Sequence, residues 1–434
     1  MKPGKVNSVR GGILLLSLFF LGCSPPEARK KRIVIWHWMT DRQPAFQELA
    51  QSYQAQTGIQ VDFQLYAPSE AYSQKVRAAA QGGNLPDIFG VLSEKRDFAS
   101  LIKAGYILDL TPYMEEGDSS WRNRFFPQAL AVNEFSQGNT YGVNPGIYAV
   151  PIDMVAITIV YNKNLLRKLG LDSSQPPQNF EEFLDLGRKI KEEKLQGLVS
   201  GWGELWLIYC FAQNYAFNIM GEEKVLATIR GEVPYTDPAW IEVLRLFEEM
   251  KNSGIITSKV VSMVNKTAEQ IFANEKAVFA FNGSWCVNVY KGMNPDLDYG
   301  VMLPPRISNK FPLLVWGGAG SSFMVNAHSP YREEAVKFLK WLTAPEQQSY
   351  LVRETNNLPA IKECKESLPQ ILVSFSRLLE KSTHPNSWDV WESPLVNETL
   401  ARGIQAIILG KKTPEVVAEE VQRVKERELA KKSN

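Results

Sequence analysis

Histidine and cysteine are scarce in this chain, three and four among 434 residues. His37, His328 and His384 stand far apart, which argues against a His-rich metal centre. Cys23, Cys210, Cys286 and Cys364 are equally scattered and form no CxxC pair, so a disulfide framework or a zinc ribbon is excluded and at most one disulfide is left open among the last three. Neither sign of charge prevails: 48 Lys and Arg face 47 Asp and Glu. Residues 1–22 hold three basic side chains and no acidic one, and without them the formal net charge moves from +1 to −2. Such a balance gives no counterion-release drive, so nucleic acid is not an expected partner. The chain also lacks a G-x-S-x-G elbow, and its scattered histidines offer no base for serine or cysteine catalysis. A long apolar run is missing too; residues 13–21 are apolar but fall short of the roughly 20 needed to cross a bilayer.

That short run has a meaning of its own. Lys2, Lys5 and Arg10 precede it, and Gly22-Cys23-Ser24-Pro25-Pro26 follows. A basic region, a brief apolar core and a small residue before one cysteine predict a lipoprotein signal peptide over residues 1–22. Cleavage would leave Cys23 as the lipid-bearing (palmitate-carrying) residue of an exported, membrane-anchored protein on the periplasmic side or the outer face of the cell membrane. Residues 23–32, which end in Arg29-Lys30-Lys31-Arg32, read as a solvated tether. The remainder, in a chain 44% hydrophobic and 22% charged, is ordinary for a globular protein with a large core.

Strand and helix then alternate at short spacing. Ile33-Val34-Ile35-Trp36 is a buried-strand run, a helical pattern follows through Phe46, Leu49 and Tyr53, and Gly58 stops it. Residues 59–65 and 87–91 read as further strands, with helices over 70–81 and 94–104. Alternation of this kind predicts an α/β fold of parallel strands joined by crossovers, with ligand sites at the strands' C-terminal ends. Residues 148–161 form a longer apolar stretch, suited to a segment that passes between two lobes. Residues 277–281 and 299–302 read as strands of a second sheet, 313–325 as a Gly-interrupted extended segment, and 414–431 as a charged terminal helix.

Eight phrases in order give the chain a resemblance: Ile33-Val34-Ile35-Trp36; Leu85-Pro86-Asp87-Ile88; Gly105-Tyr106-Ile107-Leu108-Asp109-Leu110; Ile159-Val160-Tyr161-Asn162-Lys163-Asn164; Phe272-Ala273-Asn274-Glu275-Lys276-Ala277; Phe281-Asn282-Gly283-Ser284-Trp285; Tyr299-Gly300-Val301; and Leu342-Thr343-Ala344-Pro345-Glu346. In these it resembles the extracellular solute-binding proteins of ABC importers, family 1, the maltose-binding-protein-like carbohydrate binders. The resemblance implies a two-lobed periplasmic-binding-protein (type II) fold, each lobe a mostly parallel sheet flanked by helices. Lobe 1 would take residues 33–153 plus 312–362 and lobe 2 residues 154–311 plus 363–434. It implies a monomer without cofactor or metal that captures a sugar or oligosaccharide by hinge closure and hands it to the permease's transmembrane subunits.

A neutral sugar needs aromatic faces for its C–H surfaces and planar polar groups for its hydroxyls, and 11 tryptophans are available. Trp36 continues its strand into the core, whereas Trp38 and Asp41 fall in the loop at the strand's end, where the family places its first polar contacts. Asp87 belongs to a turn; Ser93 and Glu94 lie at the next strand's cleft end. On the second lobe Glu204 and Trp206 open a helix where the family presents an aromatic platform, and Trp285 matches a stacking tryptophan. Gly317 and Gly318 are expected against the sugar, one or both of Trp388 and Trp391 as a last stacking ring, and Tyr161 and Asn162 at the hinge. For each tryptophan the competing expectation is a place in the core, and for Asp41 and Glu94 a helix N-terminal charge.

Two rivals remain. A glycerol-phosphate-ester binder of the same fold could hold its phosphate on helix N-termini. A tethered glycoside hydrolase would need two carboxylates flanking one bond, for which Asp41, Glu94 and Glu204 are the available candidates.

Overall fold

The computed structural model describes residue 1 and residues 31–67, 69–91, 95–117, 121–384 and 387–433. Twelve strands occur among them, in order β1 (Arg32–His37), β2 (Gln60–Leu65), β3 (Ile88–Val91), β4 (Glu134–Phe135), β5 (Gly146–Ile147), β6 (Val150–Asn162), β7 (Gln196–Val199), β8 (Ala277–Gly283), β9 (Tyr299–Met302), β10 (Val315–Val325), β11 (Leu358–Pro359) and β12 (Ser382–Thr383). β4 and β5 pair with each other, and the other ten join one sheet whose central path is β2-β1-β3-β10-β6-β8-β7.

The parallel half is legible locally. β1 pairs in parallel with β2 and β3, and the helix between β1 and β2, Gln43–Thr57, turns Ala45, Phe46, Leu49, Ala50 and Tyr53 inward at helical spacing. Gly58 ends that helix at φ 75°, a conformation that glycine reaches without a Cβ clash, and its N–H returns to Gln54. Asp87 is structural as expected: its carboxylate accepts the Val34 N–H at 2.8 Å and the Ser329 hydroxyl at 2.5 Å.

β6 and β10 join the halves. β6 is 13 residues long and nearly all buried. Its first part pairs antiparallel with β10, from Val150 opposite Phe323 to Ile157 opposite Trp316; its last part pairs with β8 and β9, ending at Asn162 opposite Tyr299. Residues 277–281 and 299–302 are strands as expected, but they do not form a second sheet: β6 is long enough to carry both sets of partners, so the sheet runs unbroken through both lobes, mixed rather than parallel at its centre.

The core is organised differently on the two faces of that sheet. On one face Val150, Ile152, Met154, Ala156 and Val160 of β6 enter a single apolar cluster that also takes Phe46 and Leu339 from the first half and Phe272 and Tyr290 from the second. On the other face the core is divided. Tyr72, Phe89, Phe98, Phe135 and Met324 form a cluster over the β1–β3 half, whereas Ile157, Ile159, Phe211, Phe247 and Trp240 form another over the β6–β8 half. A two-lobed molecule needs such a division, because rigid bodies can open against each other only where their cores are not fused. Cys210, Cys286 and Cys364 are buried free thiols. Among the described residues no helix is long and apolar enough to cross a membrane.

Candidate functional site: an aromatic cleft between the lobes

On the divided face the Leu205–Met220 helix presents Trp206, Tyr209 and Gln213, spaced i, i+3 and i+7 and therefore on one side. Trp206 is 45% exposed, whereas Trp202, in the loop before the helix, is fully buried against Phe211 and Phe247. The ring of Trp206 lies 5.9 Å from that of Trp285, tilted by 47°. Trp285 is half-buried and folds back over Gly283, where a Cβ would stand 1.9 Å from the indole, so only glycine permits this ring position. The next residue back, Ser284, donates its N–H to the Ala156 carbonyl at 2.9 Å, fastening the loop to the strand that crosses between lobes.

Deeper along the same helix, Tyr209 meets Trp316 edge-on at 5.8 Å and Gln213 accepts the Trp316 indole N–H at 2.9 Å. His384 covers Trp316 from another side at 5.5 Å. Gly317 and Gly318 make room for the segment that carries His384: a Cβ on Gly317 would stand 2.7 Å from Ser382, and one on Gly318 would stand 3.3 Å from the His384 Cβ.

The first lobe supplies Trp38, which rests on the bare Gly90 backbone 5.4 Å from Tyr72. Trp36 is half-buried rather than core, its indole N–H donated to Gln64 and the Lys75 ammonium 4.3 Å above its ring. Asp41 is exposed and precedes the Gln43–Thr57 helix, with its carboxylate 3.7 Å from Arg42. Lys95 is buried against Phe135, its ammonium 4.8 Å from that ring, and burial holds its pKa down at about 8 although Asp389 and Glu134 pull it upward.

The stretch from 388 to 392 touches both clusters of the divided face. Trp388 is buried in the second-lobe cluster and donates its indole N–H to Glu222 at 2.9 Å, while Trp391 packs against the first-lobe cluster. Thr140 and Tyr141 of the first half bond the carbonyls of Asp389 and Trp388 at 3.1 Å and 3.4 Å.

The structure thus brings Trp206 and Trp285 together, whereas Trp38 packs apart from them on Gly90 and Tyr72. Ser93, Glu94 and Cys23 lie outside the described residues. Glu204 accepts the Asn265 backbone N–H at 2.8 Å, the first N–H of the Asn265–Ala273 helix, and so caps an orphan donor. Tyr161 packs over Gly300, and Asn162 caps the Lys163–Lys168 helix through the Leu165 N–H; both stand beyond the last β6 residue paired with β10. Tyr209, Gln213 and Lys95 were not among the expected site residues. Their signal was the i+3 and i+7 spacing from Trp206 for the first two; for Lys95 nothing local marks a cation for burial. Among the described residues no group of three His, Cys, Asp or Glu could hold a metal ion.

Comparison with known proteins agrees with this fold. The family described as bacterial extracellular solute-binding protein matches residues 37–349. A multiple sugar-binding protein of Streptococcus mutans is 24% identical over 310 residues, 70% of this chain and 69% of that protein. The melibiose/raffinose/stachyose-binding protein MelE of Bacillus subtilis is 22% identical over 366 residues, 80% of each chain. The sn-glycerol-3-phosphate-binding periplasmic protein UgpB of Escherichia coli is 20% identical over 278 residues, 61% of this chain and 63% of that one. Among solved structures, a chitin oligosaccharide binding protein superposes with a TM-score of 0.76 at 22% identity, covering 91% of this chain and 98% of the other.

Proposed function

The chain belongs to the bacterial extracellular solute-binding proteins, and from that membership we propose that it captures a neutral oligosaccharide for an ABC importer. The lobes, residues 33–153 plus 312–362 and residues 154–311 plus 363–434, would rotate about β6 and β10 and close on the sugar. Ligand contacts on both walls stabilise the closed form alone, so capture shifts the equilibrium by that differential affinity. The closed form is what the permease's transmembrane subunits receive. The protein works as a monomer, performs no reaction and is held at the membrane by lipid on Cys23.

One observation carries this reading: Trp206, an exposed tryptophan, lies beside half-buried Trp285 where the apolar core is divided between the lobes. Exposed indole surface is unfavourable unless something covers it, and a sugar's C–H face is a matching cover. The hydrolase alternative is disfavoured, because Glu204 serves as a cap, accepting the Asn265 backbone N–H.

The relation to UgpB supports a second reading, a glycerol phosphate ester held on the buried cation Lys95. Scanning fluorimetry against raffinose, maltotriose, chitotriose and sn-glycerol 3-phosphate separates the two. A ligand at 100 times its dissociation constant adds about 2.7 kcal/mol. A shift with one of the oligosaccharides supports the sugar reading; a shift with the phosphate ester alone replaces it. The anchor has its own test, since Cys23→Ala should move the protein from the membrane fraction to the soluble one.

A further inference from the structure

The Leu205–Met220 helix is apolar along most of its length, yet it buries two adjacent amides, Gln213 and Asn214. A buried amide is unfavourable unless its polar atoms are bonded, and both of these reach one residue of β10. Asn214 Oδ1 accepts the Trp316 backbone N–H at 3.1 Å, and Gln213 Oε1 accepts the Trp316 indole N–H at 2.9 Å. Gln213 Nε2 meets the Tyr209 hydroxyl, one turn back on the same helix. The direction of each bond along this chain follows from the groups themselves. An indole N–H can only donate, so the Gln213 oxygen faces Trp316; an amide nitrogen can only donate, so the other end of the amide gives its hydrogen to Tyr209. The Tyr209 oxygen is thereby the acceptor of that bond, and its own proton is turned to an acceptor other than Gln213.

We infer that Gln213 is a positioning residue that makes Tyr209 a hydrogen-bond donor to the ligand: in the loaded protein the Tyr209 proton goes to an oxygen of the sugar that stacks on Trp206. This rests on the reading of the Trp206 face as the sugar site. Tyr209 follows Trp206 by three residues and so stands beside it on one side of the helix, its ring edge-on to Trp316 at 5.8 Å. A leucine at 213 would suit the same apolar surroundings; what the amide adds is the direction of the phenol's proton, fixed before the ligand arrives. An unconstrained phenol can either give or receive a hydrogen bond. One held as a donor selects ring and glycosidic oxygens, which can only accept.

Calorimetric titration with whichever of raffinose, maltotriose or chitotriose binds tests this in the full chain. Tyr209→Phe should weaken affinity about tenfold, the scale of one neutral hydrogen bond. Gln213→Glu still accepts the Trp316 indole N–H, but an ionised carboxylate has no hydrogen to give, so Tyr209 donates to it and its proton is withdrawn from the ligand. This variant should also weaken affinity about tenfold, with no further effect in a Tyr209→Phe background. Unchanged affinity in Tyr209→Phe overturns the inference, and that variant keeps the test open should Gln213→Glu fold poorly. An equal Gln213→Glu loss with and without the phenol overturns the positioning role. In ligand-free protein carrying 15N-labelled tryptophan, the Trp316 indole cross-peak, identified by its loss in Trp316→Phe, should move upfield in Gln213→Leu and not in Gln213→Glu. A cross-peak that ignores Gln213→Leu overturns the anchor from which the direction follows. If none of the three sugars binds, or if Trp206→Ala binds as the parent does, the sugar site itself has failed, and the cross-peak reports the Gln213 anchor independently.

Discussion

Arg42 and Asp153 meet 2.5 Å apart with both side chains nearly withdrawn from solvent, at the point where the two crossing strands lose register. β10 slips at Ser321, whose N–H reaches Asp153 at 2.6 Å and whose hydroxyl accepts from Arg42 at 3.1 Å. Arg42 also donates to Asn357 at 3.2 Å, and its carbonyl takes the Phe46 N–H at the start of the first long helix. One guanidinium thus fastens β6, β10 and the 355–358 stretch to the loop that carries Trp38 and Asp41. A bulge concentrates twist where a strand must bend, and this pair stands at that irregularity.

Removing either partner alone strands the other charge in the interior. Arg42→Met or Asp153→Asn should lower the unfolding free energy by about 3–5 kcal/mol, whereas Arg42→Met with Asp153→Leu should recover most of that loss. Urea unfolding of the three variants decides it. Single variants that unfold within 1 kcal/mol of the parent on the scale of these effects would mean that water already reaches the pair.

Trp206 separates binding from folding. At 45% exposure it contributes little to the core, so Trp206→Ala should change stability by no more than about 0.5 kcal/mol. Affinity for the oligosaccharide should nevertheless drop by about ten- to a hundredfold, the scale of a tryptophan anchor. Calorimetric titration alongside thermal unfolding gives both numbers. Intact affinity would move the ligand off this wall.

Acid should act through His37. Its ring is fully buried between Phe46 and Phe63, its Nδ1 accepts the Met39 N–H at 3.2 Å, and its Nε2 lies 2.6 Å from Gln43 Oε1. Those partners fix the neutral tautomer with hydrogen on Nε2. Burial therefore depresses the pKa from 6.5 to about 4. The unfolded chain takes up the proton below its own pKa while the folded one resists, so stability is full above about pH 6.5 and falls as pH drops toward 4. Relative to His37→Gln, the parent should lose roughly 3 kcal/mol across that window. Unfolding free energies measured at pH 7 and pH 4 check this; a constant gap between parent and variant refutes it.

What the sequence could reveal divides along physical lines. β1, β2, β3 and the helices between them were readable because each buries a face whose periodicity is written in its own residues. β6 was readable as an unusually long strand because both of its faces are apolar. That β8 and β9 would extend the same sheet was not readable, since pairing depends on which neighbour the two ends of β6 find and no local pattern records it. Strands of two residues, β11 and β12, leave no periodicity at all. At the site, Trp206 and Trp285 stood out by residue type and position. The pairing of Gln213 with Trp316 did not, since the two lie 103 residues apart and meet only in the fold. Trp388 and Trp391 could not be told apart because only two residues separate them in sequence whereas in space they join different cores.

That last pair depends on the terminal helix. Glu392 follows Trp391 directly and is buried with Lys425 of the Pro414–Ser433 helix, its two oxygens 2.9 and 2.8 Å from the ammonium. Tyr235 donates to the same carboxylate at 3.0 Å, and Lys425 also reaches the Ile229 carbonyl at 2.6 Å. The bridge between the lobes is therefore held from behind by a side chain 33 residues later in the chain. Lys425→Met would leave Glu392 charged and partnered only by Tyr235 and a backbone N–H, an outcome worth about 3–5 kcal/mol of lost stability. Part of the loss should be local: hydrogen exchange at residues 388–393 should quicken beyond the average of the second lobe, because the anchored turn, rather than the helix it leans on, carries the unpaired charge. Uniform quickening across the Pro394–Ile408 and Pro414–Ser433 helices, with the turn no faster than they are, would assign Lys425 to helix packing alone.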